Sequence, residues 1–271
     1  GAVLSQTNVA CFGQLTGSVT ILAGGGAAPY QYSLNGGAYQ ISDTFTGLAA
    51  ASYNITVKDN NNCTITFSVS ITQPGSALTG FITGQTPTSC FGITDGTVTV
   101  TGGGGTPTYE YNIDGGAFQG SGVFSSLAAG PHTVVIRDAN NCTYNIIVTI
   151  TEPAPLTGSI VSQTNVKCFG GLTGSITISG AGGTSPYQYS LDGGAYQASG
   201  TYNGLGAGAH AITVRDFNLC TTVINFTITE PAAALSASTA VTNVACFGGL
   251  TGIVNLTVTG GHLRYEDKTI N

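Results

Sequence analysis

One phrase of sequence occurs four times along the chain at an almost constant interval. It is N-V-A-C-F-G at Asn8–Gly13, and related phrases surround three later cysteines at steps of 79, 78 and 78 residues: Cys90, Cys168 and Cys246. A second phrase, I-T-Q-P or I-T-E-P, ends at Pro74, Pro153 and Pro231. The period exceeds the roughly 20 to 50 residues of solenoid and propeller units and matches a small domain. The sequence therefore predicts domains in tandem at residues 1–76, 77–155 and 156–233, with a partial fourth repeat at 234–271.

Within each repeat the apolar residues alternate with a period of two, which is the pattern of strands with one buried face. In the first repeat Val19 and Ile21 alternate in this way, followed by Tyr30, Tyr32 and Leu34. The next residues are Asn-Gly-Gly or Asp-Gly-Gly in all three repeats, and this predicts a tight hairpin turn with positive φ. No segment has helical periodicity. We therefore expect an all-β chain of immunoglobulin-like sandwiches with six to seven strands each.

Composition excludes several functions. Charged residues form 7% of the chain, against about 25% in ordinary soluble domains. The six Lys and Arg are scattered and the formal net charge is −6, so there is no basic surface for nucleic acid. No apolar run reaches the roughly 18 residues that a membrane-spanning helix needs, and no membrane insertion is expected.

Six markers keep their order in three copies: C-F-G, T-G-S or D-G-T, the Pro-containing approach to Y-x-Y, the N-G-G or D-G-G turn, a D-x-N-x-C-T loop and the closing I-T-Q-P or I-T-E-P. Together they resemble the SprB repeat, and their middle part is similar to PKD-type immunoglobulin-like domains. The segment from Phe45 to Val57 is also similar to the approach to the penultimate strand of immunoglobulin-like sandwiches, where Tyr53 would hydrogen-bond back to the chain.

The SprB resemblance implies a non-catalytic repeat region of a very large bacterial surface adhesin that takes part in gliding and attachment. It would be extracellular, at the cell surface, and would contact a polysaccharide or a protein of a cell or substratum. Two alternatives remain open: a subunit of a self-assembling fibre, and a carbohydrate-binding accessory module of a secreted enzyme.

Seven cysteines are present, and the two in each complete repeat are 52 residues apart: Cys11 with Cys63, Cys90 with Cys142, and Cys168 with Cys220. The absence of C-x-x-C spacing argues against a metal site and favours disulfides in an oxidising compartment. We expect these pairs to bond within each repeat and leave Cys246 unpaired.

The alternative pairing joins neighbouring repeats through Cys63–Cys90, Cys142–Cys168 and Cys220–Cys246. Strand number bears on this choice. With six crossings per repeat the two cysteines of a repeat lie at the same end of the sandwich, and with seven they lie at opposite ends, too far apart for a bond.

No catalytic residue and no cofactor are predicted. His132 and His210 occupy the corner position of Tyr53, which favours a residue bonded to backbone. Asp59, Asp138 and Asp216 precede the second cysteine of their repeats and are weak candidates for Ca²⁺ ligands. Too few oxygens accompany them for the six to eight that Ca²⁺ requires, so an Asx turn is the favoured interpretation.

The fourth repeat departs from the pattern. After Tyr265 the sequence places Asp267 and Thr269 at positions where core residues are expected. Two strands alone do not make a stable sandwich, so we expect this segment to be cut from a longer protein, to lean on repeat three, or to self-associate with another chain.

Overall fold

The computed structural model describes residues 1–261, and within that range the chain forms twenty strands and no helix. The expectations for Asp267 and Thr269 lie outside the described residues. Two compact units are present. One contains Gly1–Thr88 and Thr94–Thr151, and the other contains Ser89–Ile93 and the described residues that follow Thr151.

Each complete repeat contains six strands in two three-stranded antiparallel sheets. In repeat 1 one sheet has the order β1-β2-β4 and the other the order β3-β5-β6. The bounds are β1 Ala2–Thr7, β2 Gly17–Leu22, β3 Gln31–Leu34, β4 Thr44–Leu48, β5 Ala51–Lys58 and β6 Thr64–Ile71.

Repeats 2 and 3 have the same strand order, and the fourth repeat contributes one strand pair. Repeat 2 contains β7 Thr79–Thr86, β8 Gly96–Gly103, β9 Glu110–Ile113, β10 Val123–Leu127, β11 Gly130–Arg137 and β12 Thr143–Ile150. Repeat 3 contains β13 Thr157–Thr164, β14 Gly174–Ala181, β15 Gln188–Leu191, β16 Thr201–Leu205, β17 Gly208–Arg215 and β18 Thr221–Ile228. The last pair is β19 Ser236–Thr242 with β20 Ile253–Thr259.

A separate hydrophobic core lies between the two sheets of each complete repeat. In repeat 1 the alternating residues of β2, Val19 and Ile21, are each 1% exposed, and Ile55 of β5 is fully buried. The period-two pattern therefore predicted the buried face correctly. In β19 and β20 almost every residue is exposed, as expected for two strands without a second sheet.

The predicted hairpin turns are present in all three repeats. Asn35, Asp114 and Asp192 have φ of 47°, 49° and 48°, and a glycine with positive φ follows each. After the first turn the chain reverses, and Gln40 exchanges two backbone hydrogen bonds with Tyr32. This reversal is a seventh, very short crossing before β4.

The short crossing places the two cysteines of a repeat at opposite ends of its sandwich. Val9, near Cys11, donates its amide to the carbonyl of Thr72, which directly follows β6. Cys63 directly precedes the same strand, whose eight residues span about 26 Å. A disulfide requires Cα atoms about 4.4 to 6.8 Å apart, so Cys11 cannot reach Cys63.

Candidate functional site: the cystine between repeats

The second cysteine of each repeat lies in a five-residue loop that we call the Asx loop: Asp59–Cys63, Asp138–Cys142 and Asp216–Cys220. In repeat 2, Asp138 Oδ1 accepts hydrogen bonds from the amides of Asn140 and Cys142, each at 2.9 Å. Its Oδ2 accepts the amide of Thr106, also at 2.9 Å. This is the Asx turn that the sequence predicts, and it fixes the cysteine backbone.

Repeat 1 has the same loop. Asp59 accepts the amides of Ala27, Asn61 and Cys63 at 3.0, 2.9 and 2.9 Å. These bonds, with that from Ala27 the largest influence, hold the pKa of Asp59 below its ordinary value.

The first cysteine of each repeat lies in what we call the CFG turn: Cys11–Gly13, Cys90–Gly92, Cys168–Gly170 and Cys246–Gly248. The closing I-T-Q-P or I-T-E-P phrase holds this turn in the three complete repeats. The amides of Gly13, Gly92 and Gly170 donate to the side chains of Gln73, Glu152 and Glu230 at 2.8, 2.8 and 2.5 Å. Two phrases that are 60 residues apart in sequence therefore meet to build one surface.

Two disulfides join CFG turns to Asx loops. Cys11 bonds to Cys142 with a Cα separation of 5.7 Å, and Cys90 bonds to Cys220 with a Cα separation of 5.9 Å. In both cases the first cysteine of one repeat bonds to the second cysteine of the next.

The pairing within repeats that the sequence analysis favoured is therefore wrong, and so is the alternative between cysteines 26 or 27 residues apart. The physical reason is the short crossing, which moves Cys63 to the far end of its sandwich from Cys11. Three cysteines, Cys63, Cys168 and Cys246, carry no disulfide and are exposed, whereas only Cys246 was expected to be unpaired.

A side-chain amide accompanies each disulfide. Asn140 Nδ2 donates to the carbonyl of Ala10 at 2.9 Å and to Thr106 Oγ1 at 3.0 Å. In repeat 3, Asn218 Nδ2 donates to the carbonyl of Ser89 at 2.8 Å and to Thr184 Oγ1 at 3.2 Å. The D-x-N-x-C phrase thus supplies the carboxylate that accepts the backbone amides of the loop, the side-chain amide donor and the sulfur of one junction.

The corner residues bond back to the chain as predicted. Tyr53 Oη donates to the Ala49 carbonyl at 3.1 Å, and Nε2 of His132 and His210 lies 2.9 and 3.2 Å from the carbonyls of Ala128 and Gly206. Sequence reasoning missed the second partner of each histidine. His132 Nδ1 lies 2.7 Å from Asp114 Oδ2, and His210 Nδ1 lies 2.8 Å from Asp192 Oδ2.

The corner residue and the hairpin residue change together from repeat to repeat, and this could have revealed the contacts. The two repeats with His at the corner have Asp at the hairpin turn, and the repeat with Tyr53 has Asn35 there. The hydrogen bond that each histidine donates to its aspartate is the main reason that the pKa of the histidine is raised, and the same bond lowers the pKa of the aspartate.

Sequence reasoning also missed a second recurrent surface feature. Three of the four Lys and Arg side chains in residues 1–261 lie over an aromatic ring, at 4.2, 3.9 and 3.8 Å from its centroid: Lys58 over Tyr39, Arg137 over Phe118, and Arg215 over Tyr196. Tyr39 is 40% exposed and Tyr196 36% exposed. Each complete repeat therefore places one cation over one aromatic ring, and the ring is exposed in repeats 1 and 3 and half-buried in repeat 2.

Residues 1–261 contain no group of three or more His, Cys, Asp or Glu side chains arranged to hold a metal ion. The oxygens of Asp59 and Asp138 accept backbone amides, and Asp216 does the same with Thr184 and Cys220. Over the same part of the chain no helix is long and apolar enough to cross a membrane.

The fold and its junctions define a class: tandem immunoglobulin-like β-sandwiches in which one cystine connects repeat 1 to repeat 2 and another connects repeat 2 to repeat 3. The family model described as the SprB repeat matches residues 3–39, 82–118, 160–196 and 238–266, which is more than half of the chain. The chain belongs to the SprB repeat family. A comparison with curated proteins finds no match.

Solved structures with similar strands include three N-terminal domains of the bacteriophage RB49 highly immunogenic outer capsid protein. The identity is 13%, the TM-score 0.34, and the match covers 84% of this chain and 96% of that one. The N-terminal eight immunoglobulin domains of the Down syndrome cell adhesion molecule match at 13% identity and a TM-score of 0.33, over 83% of this chain and 32% of that one.

Proposed function

We propose that the chain is a non-catalytic, extracellular part of a bacterial cell-surface adhesin of the kind used in gliding and attachment. It serves there as a stalk and as a multivalent weak binder. The observation that carries the proposal is the overlap of the two cystines. Disulfides of this kind persist in oxidising, extracellular compartments.

The overlap shortens the covalent path along which the chain can be stretched. The bonds close segments with sequence separations of 131 and 130 residues, and both segments contain residues 90–142. A force between Cys11 and Cys220 is therefore carried by one disulfide, then by residues 90–142, and then by the other disulfide. Even after complete unfolding, about 50 residues separate the attachment points instead of about 210. Such a device suits a stalk under drag.

Pulling on the chain through its two ends, with and without reductant, tests the stalk function. With both cystines intact we expect a final contour length roughly 550 Å shorter than in reductant, at about 3.5 Å per residue for about 160 residues kept out of the load path. Equal contour lengths in the two conditions would contradict the proposal. The double variant Cys90→Ala with Cys220→Ala is the matched control, because it retains only the first restriction.

The ring and cation on each complete repeat, with the ring exposed in repeats 1 and 3, support the binding part of the proposal. A cation over a ring is worth about 0.5–1 kcal/mol at exposed sites, so the cation helps to hold the ring in place for a ligand. We propose that these pairs contact acidic polysaccharide of a cell surface or substratum, weakly at each repeat. Tandem copies on one chain raise the avidity without any new contact.

Binding to an array of acidic and neutral glycans measures this part separately. We expect the wild-type chain to bind acidic glycans, and the triple variant Tyr39→Ala, Phe118→Ala and Tyr196→Ala to lose that binding. Exposed Val123, Ile147 and Val223, which belong to no ring–cation pair, provide the matched control triple variant. Retained binding after loss of the three rings would reject the rings as the binding surface.

The exposed pair β19–β20 supports a further part of the proposal, self-association. Two strands need a second sheet to cover their apolar side chains, and exposed strand edges accept strands from other chains. We expect concentration-dependent assembly that disappears when residues 234–271 are deleted. Assembly that survives this deletion would rule out the fourth repeat as its cause.

A further inference from the structure

The junction between repeats 2 and 3 carries more apolar side chains than the junction between repeats 1 and 2. Three positions differ: Ile93 stands where the first junction has Gln14, Phe217 where it has Ala139, and Leu219 where it has Asn141. Together with Phe91 of the CFG turn, these three residues form what we call the apolar junction patch. The four side chains are 45% to 67% exposed.

The patch borders a cleft beside the cystine. The cleft has a volume of about 330 Å³ and is lined by Phe91, Ile93, Pro155, Leu156, the Cys90–Cys220 disulfide, Thr221 and Thr222. At the first junction a cleft of about 300 Å³ has Gln14, Asp138 and Asn141 in its lining instead. A cavity of about 150 Å³ holds one benzene-sized group, so the cleft at the second junction has room for two apolar side chains.

Leu219 has a backbone conformation that leucine rarely adopts. Its φ is 69°, and the equivalent Asn62 and Asn141 have φ of 64° and 63°. Asparagine visits this left-handed region readily, whereas a bulky apolar residue there is strained. Burial within residues 1–261 does not offset the strain, because Leu219 and its neighbour Phe217 are each 67% exposed. The strain and the exposure together indicate that these side chains serve a contact with another molecule.

A carboxylate lies beside the patch. Glu152 Oε2 accepts the amide of Gly92 at 2.8 Å, and Gly92 directly follows Phe91. At the first junction the uncharged Gln73 makes the equivalent bond to Gly13. The exposed carboxylate of Glu152 attracts a cationic group and repels an acidic lipid surface or polysaccharide. Charge therefore favours a partner that combines apolar side chains with a cation.

The area of the patch restricts the kind of partner. The four side chains expose on the order of 400 Å², at roughly 150–250 Å² for a fully exposed aromatic ring. Each partner in a stable protein–protein interface contributes about 800 Å². Two copies of the chain that face each other through this patch would therefore not form a stable dimer, whereas a short peptide segment needs no larger surface.

We propose that the apolar junction patch is a docking site for a short segment of another polypeptide that carries two large apolar side chains and a Lys or Arg. The apolar side chains enter the cleft beside the Cys90–Cys220 disulfide, and the cation lies beside Glu152. The junction of repeats 2 and 3 thus adds a protein partner to the stalk and glycan-binding functions.

The probe for this site is a display library of random, cysteine-free peptides selected on the whole chain with its two cystines intact. We expect the enriched peptides to combine large apolar residues with a Lys or Arg. Fluorescence anisotropy then gives the affinity of the most enriched peptide for the wild-type chain and for variants. Phe217→Ala with Leu219→Asn, which copies the loop of repeat 2 at both positions, should weaken binding by about tenfold or more. The denaturation midpoint of this double variant should not fall, because asparagine suits the φ of residue 219.

Glu152→Gln tests the cation separately. It keeps an acceptor for the Gly92 amide, as Gln73 does for Gly13, but removes the charge. We expect it to weaken peptide binding several-fold at low salt and much less at high salt. Ile147→Ala is the matched control, because Ile147 is 70% exposed and lies within β12, away from the patch. It should bind the peptide as the wild-type chain does.

Equal affinity of the wild-type chain and the Phe217, Leu219 double variant would overturn the proposal. A selection that enriches no peptides, or only peptides without a Lys or Arg, would overturn it too. Sedimentation of the wild-type chain and the double variant covers the remaining case. Concentration-dependent dimers that only the wild-type chain forms would assign the patch to a second copy and reject the peptide segment as its partner.

Discussion

At the scale of single residues, the corner of each sandwich shows how one exchange changes the chemistry of a repeat. Tyr53 bonds only to backbone, whereas the imidazoles of His132 and His210 also contact the hairpin aspartates. The aspartates are about half exposed and the histidines largely buried. Repeats 2 and 3 therefore contain an ion pair that forms when the ring is protonated, and repeat 1 does not.

The stability of repeats 2 and 3 should therefore depend on pH. The pKa of each histidine is raised in the folded state, so its stabilising contribution is complete below the unfolded value of about 6.5 and is lost as the pH rises through the folded pKa. The pKa of each aspartate is lowered, so its contribution is present above about 3.9 and is lost as the pH falls through the folded pKa. We expect the largest contribution between about pH 4 and 6.5.

Thermal unfolding followed at pH 5.5 and pH 8 measures this effect. We expect the wild-type chain to lose a few degrees at the higher pH. The double variant His132→Tyr with His210→Tyr, which copies the corner of repeat 1, should lose much less. An unchanged difference in the variant would mean that the histidines do not titrate in this way.

The junction asparagine allows a second test at the residue scale. Asn140→Ala removes the donor to the Ala10 carbonyl and to Thr106 Oγ1, which should destabilise the chain by about 1 kcal/mol in denaturant unfolding. Asn61→Ala is the control, because the Asn61 side chain has no hydrogen-bond partner within residues 1–261. Equal losses in the two variants would contradict a role in the junction.

At the scale of strands, the glycine of the T-G-S or D-G-T phrase is required by close packing. A Cβ on Gly96, the first residue of β8, would lie 2.6 Å from Ile150 Cγ2 and 3.1 Å from the carbonyl oxygen of Leu127. Gly17 and Gly174 have equivalent neighbours in their repeats. The phrase therefore marks the place where β8 passes between the last strand of the repeat and the end of β10.

Gly96→Ala should destabilise the chain by about 1–3 kcal/mol, the usual cost of overpacking a filled core. Gly84→Ala is the control, because its Cβ would lie 3.8 Å from the nearest side-chain atoms, those of Thr99. Chemical denaturation of the two variants compares them directly. If the Gly96 variant were as stable as the control, the neighbouring core atoms would have shifted to make room for the added Cβ, and close packing would not require this glycine.

Most of this strand architecture could be predicted from the sequence, because alternation and turn chemistry are local signals. The rows of Val19 and Ile21 and the turn at Asn35 are examples. The pairing of cysteines could not be predicted, since it depends on whether the chain between Gly37 and Thr44 counts as a crossing. That segment forms one backbone bridge, Tyr32 with Gln40, and has no alternating run to announce it. Its reversal decides the end at which Cys63 lies.

The surface pairs were missed for a different reason. Tyr39 and Lys58 are 19 residues apart, and the end of β5 returns beside the hairpin only because β3 pairs with β5. Aligned copies show that both residue types recur, but the copies do not show that the two side chains meet. To predict contacts between strands that are distant in sequence, one must know the register in which the strands pair. The sequence pattern does not determine that register.

At the scale of the whole molecule, the cystines make neighbouring repeats depend on one another. Cys11 belongs to the CFG turn of repeat 1 but packs against the core of repeat 2, and its bond to Cys142 closes a sequence separation of 131 residues. In the chain-entropy model a loop of that length stabilises the folded state by about 5 kcal/mol. Charged residues form only 7% of the chain, so ion pairs stabilise the fold much less than this disulfide does.

Removing this bond should therefore weaken the unit formed by the first two repeats. The double variant Cys11→Ala with Cys142→Ala is expected to unfold at a clearly lower denaturant concentration, with a loss of up to about 5 kcal/mol in the chain-entropy model. Cys63→Ala changes an exposed cysteine that carries no bond and should leave the midpoint unchanged. If the double variant unfolded at the wild-type midpoint, the cystine would act only under force, and the repeats would be independently stable without it.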